Sequence, residues 1–187
     1  MKKQIILSAI LFTAGLSVTG IAAAQSNGQT ISPVQKGTVL VNAGVGLGNE
    51  YSNNYYNTAY GTKAAIEVGM WQAGPGVITL GVEAGASFSN GGIYDNYKTN
   101  TVVIAGRSAW HYGWNVNRLD TYAGLSAGAG FQNYKYYKNE NISQSEVVPV
   151  FGGFIGASYF ITPSFGFNVE AGADITRIQA GIVLKLK

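Results

Sequence analysis

Eight stretches of this sequence place an apolar residue at every second position, and the apolar face carries no charge in any of them. In the first, Val39, Val41, Ala43, Val45 and Leu47 alternate with Leu40, Asn42, Gly44 and Gly46. In the third, Ile78, Leu80, Val82, Ala84, Ala86 and Phe88 alternate with Thr79, Gly81, Glu83 and Gly85. The others lie around residues 63–71, 102–112, 119–131, 150–160, 167–174 and 178–187. The fourth run is less clean, with Gly106 and Ser108 on its apolar side, and Phe154 and Phe160 blur the sixth. Period-two alternation is the mark of a strand with two unlike faces, and no segment after Lys36 sustains a helical period. The predicted fold class is all-β, with strands of about 9–13 residues, the length a tilted strand needs to cross a bilayer core.

The connections alternate in length. Long polar segments follow the first, third and fifth runs (Asn49–Gly61, Ser89–Asn100, Asn133–Ser145). Short ones centre on Gly74-Pro75-Gly76, Asn115-Val116-Asn117 and Thr162-Pro163-Ser164, and the last hairpin, near Ile175, is also short. Long loops at one end and short turns at the other are the pattern of barrels that cross an outer membrane.

Alternation alone fits a soluble barrel too, with its apolar face turned inward. Two features choose the inverted sense. The apolar face lacks the Lys and Glu that blunt exposed faces of soluble sheets. The other face is rich in glycine (Gly44, Gly46, Gly69, Gly81, Gly85, Gly124, Gly128, Gly152, Gly156, Gly172, Gly181). Glycine within a strand marks close approach, which suits the concave inside of a narrow barrel. Composition agrees: 11% of residues are charged, yet a mean hydropathy of +0.10 is too mild for a bundle of membrane helices.

With that sense, Glu67, Glu83, Arg107 and Glu170 face the lumen. If the second and third strands pair about Pro75, Glu67 stands opposite Glu83; if the third and fourth pair about Asp95, Glu83 stands opposite Arg107. Two adjacent carboxylates repel unless a cation bridges them, and a guanidinium fork can engage both. This charge network is either a selectivity ring or proton path, or a polar plug that seals the barrel. The plug is preferred, because side chains can fill an eight-stranded interior.

The N-terminus carries a basic Met1-Lys2-Lys3, an apolar stretch from Ile5 to Ile21 and a small-residue run Ala22-Ala23-Ala24 before Gln25. It is read as a cleaved export signal over residues 1–24, followed by a short N-terminal segment over 25–36 and a barrel over 37–187. Loss of Lys2 and Lys3 takes the basic count from 12 to 10 against 9 acids, so the remaining chain is nearly neutral and nothing points to nucleic acid.

Together, the export signal, the eight alternating strands and the C-terminal Gln179-x-Gly181-x-x-Leu184-x-Leu186 resemble the small outer-membrane β-barrel family of Gram-negative bacteria, of the OmpA-barrel and OmpX kind. The resemblance implies a closed eight-stranded antiparallel up-and-down transmembrane barrel in the outer membrane. It also implies both termini in the periplasm, lipid as surroundings and the barrel-assembly machinery as a partner in biogenesis. The family's assembly signal ends in an aromatic residue, whereas this chain ends Leu186-Lys187. No peptidoglycan-binding domain is expected after the barrel, so that role of the OmpA kind is not implied.

Few residues offer chemistry. The chain has no cysteine and one histidine, His111, so disulfides, thiolate catalysis and a transition-metal centre have little material, and no cofactor is expected. Gly44-Val45-Gly46-Leu47-Gly48 sits in an alternating strand and opens no helix, so it is no phosphate loop. His111 falls at the turn end of its strand, with Ser108 on the other face, against a hydrolytic triad. The long segments are rich in tyrosine. Tyr60 and Tyr134, next to strand ends, fit an interfacial aromatic belt. Tyr55, Tyr56, Tyr136 and Tyr137 lie farther out and either contact an unidentified extracellular partner or simply keep the loops in water. The expectation is a monomeric, non-catalytic barrel with a structural or surface-interaction (adhesin-like) role; the alternative is a narrow passive, porin-like channel.

Overall fold

A computed structural model describes residues 32–48, 59–90, 97–136 and 142–186. Residues 1–24, expected as an export signal, lie outside that set, as do Tyr55, Tyr56 and Tyr137. Eight strands form the ring: β1 (Val39–Leu47), β2 (Ala59–Ala73), β3 (Gly76–Asn90), β4 (Tyr97–Tyr112), β5 (Leu119–Tyr136), β6 (Ile142–Phe160), β7 (Phe165–Gly172) and β8 (Ile178–Leu186). Each pairs antiparallel with its sequence neighbours, and β1 closes on β8 from Val39↔Leu186 to Leu47↔Ile178. Closure leaves no open edge within the ring, so backbone polar groups of the wall are satisfied strand to strand.

The alternation reads out directly as an outside and an inside. Val82, Leu125, Phe151, Ile155 and Val169 stand on the outer face, exposed, while Glu67, Thr79, Glu83, Arg107 and Glu170 are buried on the inner face. A hydrocarbon exterior and a polar interior suit a bilayer as the surrounding solvent. Phe154 and Phe160 interrupt the pattern because both turn inward, at 3% and 2% exposure.

Three details depart from the sequence expectations. The wall is uneven: β4, β5 and β6 have 16, 18 and 19 residues, whereas β7, β8 and β1 have 8, 9 and 9. Pairing therefore continues into segments expected as loops, and Tyr136 ends β5 instead of lying in a loop. A register shift between Gly69 and Trp71 turns Trp71 out of the lumen, to 53% exposure. An extra residue on one strand re-aims the side chains beyond it, which period-two counting cannot anticipate. Finally, both registers differ from those drawn about Pro75 and Asp95. Glu83 pairs with Ala65 and Ala105, and Gly81 with Glu67 and Arg107. Glu67 and Arg107 therefore flank the glycine two residues before Glu83, and their side chains reach it diagonally.

Both ends of the ring are covered by non-strand backbone. At the short-turn end, Gly37 N–H donates to Gly69 O and Gly69 N–H to Thr38 O, both at 2.8 Å. These bonds draw residues 32–37 across the mouth. Val34 is wholly buried there with Leu40, Phe160 and Val183. At the other end, the β7–β8 connection folds into the barrel, burying Asp174, Ile175 and Thr176.

Candidate functional site

The lumen gathers the sequence-predicted charged residues around Arg107. Its Nη1 donates to Glu83 Oε2 at 3.0 Å and its Nη2 to Glu170 Oε2 at 3.0 Å, and its Nε lies 3.1 Å from Glu67 Oε1. One guanidinium thus meets carboxylates from β2, β3 and β7, which only a closed barrel can bring to one point. A planar fork with five N–H donors is the group that can serve three acids at once. Phe154 lies beneath it, with the guanidinium carbon 4.0 Å from the ring centroid. Gly124 leaves room for that ring: a Cβ there would fall 2.5 Å from Phe154 Cζ.

Two further groups of charges adjoin this centre. Lys63 Nζ bonds Glu170 Oε1 and, at 2.5 Å, Asp174 Oδ2, and lies 3.9 Å from Glu83 Oε2. Toward the short-turn end, Glu67 Oε2 accepts from Thr79 Oγ1 at 2.6 Å and lies 3.6 Å from His111 Nε2. His111 Nδ1 is 2.8 Å from Asp120 Oδ2, and its ring stacks on Tyr122 with centroids 5.0 Å apart. A charge this deep is tolerated only when paired and hydrogen-bonded. Among the described residues, Glu67, Glu83, Asp120, Glu170 and Asp174 share the interior with Lys63, Arg107 and His111.

Sequence reasoning had missed Lys63, Asp120 and Asp174 as members of this network. Lys63 and Asp120 have the inward parity, so the face assignment could have found them. Asp174 has that parity too, two residues beyond Gly172, but the strand ends before it, so parity alone does not show that a turn carries it inward. Tyr136 is placed only by its backbone, at the top of β5.

The arrangement pairs buried charges across the lumen. His111 Nδ1 faces the Asp120 carboxylate, and its Nε2 faces Glu67 with no hydroxyl hydrogen-bonded to it. No group of side chains suited to holding a metal occurs among the described residues.

No protein-family model matches the chain, and no curated protein sequence matches it. Solved structures do. The outer membrane protein OprG from Pseudomonas aeruginosa superposes with a TM-score of 0.50 at 11% identity, over 82% of this chain and 97% of that one. A de novo designed transmembrane β-barrel gives 0.47 at 19% identity, over 83% and 100%. The outer membrane enzyme PagL gives 0.44 at 15% identity, over 78% and 96%. At such identities the likeness is one of fold, and a fold does not name a function. With its closed ring, apolar exterior and polar interior, the chain has the fold of the small eight-stranded outer-membrane β-barrel proteins.

Proposed function

We propose that this protein is an integral outer-membrane barrel that acts through its wall and its loop-end surface, with a lumen sealed by side chains and no catalytic role. The observation that carries this reading is Arg107, 2% exposed and held by three carboxylates across the middle of the barrel. A solute would have to break that cluster to pass. The covered ends support the same reading: Val34 fills one mouth and Ile175 the other, each fully buried. His111, held between acids, supports a structural role for the only histidine.

In this reading residues 1–24 are removed on export, residues 25–36 lead into the barrel on the periplasmic side, and the short-turn end faces the periplasm. Lipid and, during biogenesis, the assembly machinery are its partners. The tall β4–β6 wall is the outward surface available for contact, and Tyr55, Tyr56, Tyr136 and Tyr137 are the candidate contact residues. Single-channel recording of the refolded protein in planar bilayers tests the sealed lumen. The expected result is no steady conductance. Steady, cation-selective conductance that is lost or altered in Glu83→Gln would overturn the reading in favour of a narrow channel.

A further inference from the structure

The connection between β7 and β8, residues 173–177, does not simply arch over its end of the barrel. Residues 173–177 enter the barrel. Asp174, Ile175 and Thr176 are 2%, 0% and 3% exposed, while Ala173 and Arg177 on either side are exposed. Ile175 packs with Val103, Ala105 and Val150. The backbone is tied to both neighbouring strands, Ala173 N–H donating to Gly153 O at 2.9 Å and Arg177 N–H to Leu47 O at 3.1 Å.

The wall is shaped to receive it. A Cβ on Gly152 would fall 2.7 Å from Asp174 Cβ, one on Gly61 2.8 Å from Thr176 Cγ2, one on Gly46 2.7 Å from Thr176 Cβ, and one on Gly85 3.0 Å from Ile175 Cδ1. Four glycines on four strands thus leave the volume that the turn fills. The turn is also fastened by charge. Asp174 Oδ2 accepts from Lys63 Nζ on β2, while Asp174 Oδ1 accepts from the turn's own Ile175 N–H at 2.6 Å. Lys63 also holds Glu170 and approaches Glu83, so the fastening joins the central charge cluster.

We propose that residues 173–177 form an inward-folded lid over the loop end of the lumen, latched by Lys63 to Asp174. The lid is a separate closure from the Arg107 cluster. It is built on a turn, so it can lift while the ring of strands stays closed. Loss of the latch leaves Lys63 paired with Glu170 and leaves Arg107 untouched, which confines the effect to the turn. Lifting exposes the apolar pocket of Val103, Ala105 and Val150 and the polar groups beneath.

The absence of cysteine makes the test clean. Thr176→Cys and, as the exposed control in the same turn, Ala173→Cys are refolded into lipid vesicles and labelled with a membrane-impermeant maleimide. Thr176→Cys should react about tenfold or more slowly than the control, as expected for a position reached only by local opening. Adding Asp174→Asn should raise its labelling by about tenfold or more, the least expected from removing a buried charge partner. The Ala173→Cys rate should not change. Heat-shifted migration on unboiled gels verifies that each variant has a closed barrel. Should Asp174→Asn fail to fold, Lys63→Met breaks the same pair from the wall side. Equal labelling of Thr176→Cys and the control in the parent would overturn the infolded lid. Protection unchanged by both latch variants would overturn the latch.

Discussion

Replacing Arg107 by methionine removes the one group that touches Glu67, Glu83 and Glu170 together, and keeps most of the hydrophobic stem. Each hydrogen bond to a charged partner is worth about 1.5–3 kcal/mol when removed singly. Two such bonds at 3.0 Å, to Glu83 and Glu170, with the Nε–Glu67 ion-pair contact at 3.1 Å, would give a naive sum well above the real cost, because they share one guanidinium and are not independent. What decides the magnitude is the state of the acids left behind. Glu170 keeps Lys63, Glu67 keeps Thr79 and the nearby His111, and Glu83 retains only Lys63 at 3.9 Å. Glu83 is therefore the stranded charge, with Oε1 already lacking a partner. Breaking a buried ion pair from one side costs about 3–5 kcal/mol, and that is the expected loss.

The same reasoning fixes the control. Arg107→Met with Glu67→Gln and Glu83→Gln strands less charge and should recover about 2–3 kcal/mol of the loss, the coupling expected of residues in one network. Urea unfolding and refolding in lipid vesicles measures both, read by tryptophan fluorescence. Trp71, Trp110 and Trp114 are all exposed on the outer surface toward the short-turn end and so report insertion of that rim. A loss below about 1 kcal/mol for Arg107→Met, within the range of an exposed ion pair, would refute the argument that this cluster is desolvated and central. A triple variant worse than the single one would refute the assignment of the cost to stranded acids.

Arginine at Val82, on the outer face of mid-β3, should cost about 2–4 kcal/mol in lipid, whereas Asn117→Arg in the exposed β4–β5 turn should be close to neutral; equal effects in the same unfolding assay would invert the assignment of faces. Gly124→Val should cost about 1–3 kcal/mol through overpacking against Phe154, and the companion change Phe154→Leu should return part of it; no recovery would mean that the ring does not occupy the space beside Gly124.

Much of this architecture was legible because a strand obeys one simple rule. Each apolar run fixed which side chains face lipid, and the absence of charge on that face fixed which solvent it meets. The inward parity of Glu67, Glu83, Arg107 and Glu170 followed from the same rule. Register did not, because it depends on turn geometry and on single extra residues. The shift at Gly69–Trp71 reverses parity for the rest of β2, and moving a pairing by two residues keeps every face while changing every neighbour. That is why the members of the charge cluster could be named from sequence while their contacts could not.

The inner glycines carry the part of the fold that alternation hides. They distinguish an inside from an outside, but a run of small residues does not say what occupies the space they leave. Three kinds of occupant stand out. Gly124 and Gly156 face the rings of Phe154 and Tyr122, Gly69 faces the backbone of Gln35 in the N-terminal segment, and Gly46, Gly61, Gly85 and Gly152 face the infolded turn. Two of those three occupants are non-strand backbone, outside the reach of any period-two argument. Asp174 sits at the junction: its carboxylate draws the turn onto Lys63, and the glycines allow the turn to arrive. A barrel wall of larger residues would hold the same charges yet force that turn back out over the rim. The small inner face and the buried ion pair are therefore one structural device, and a bulky residue at Gly152 should undo the lid as surely as loss of Asp174.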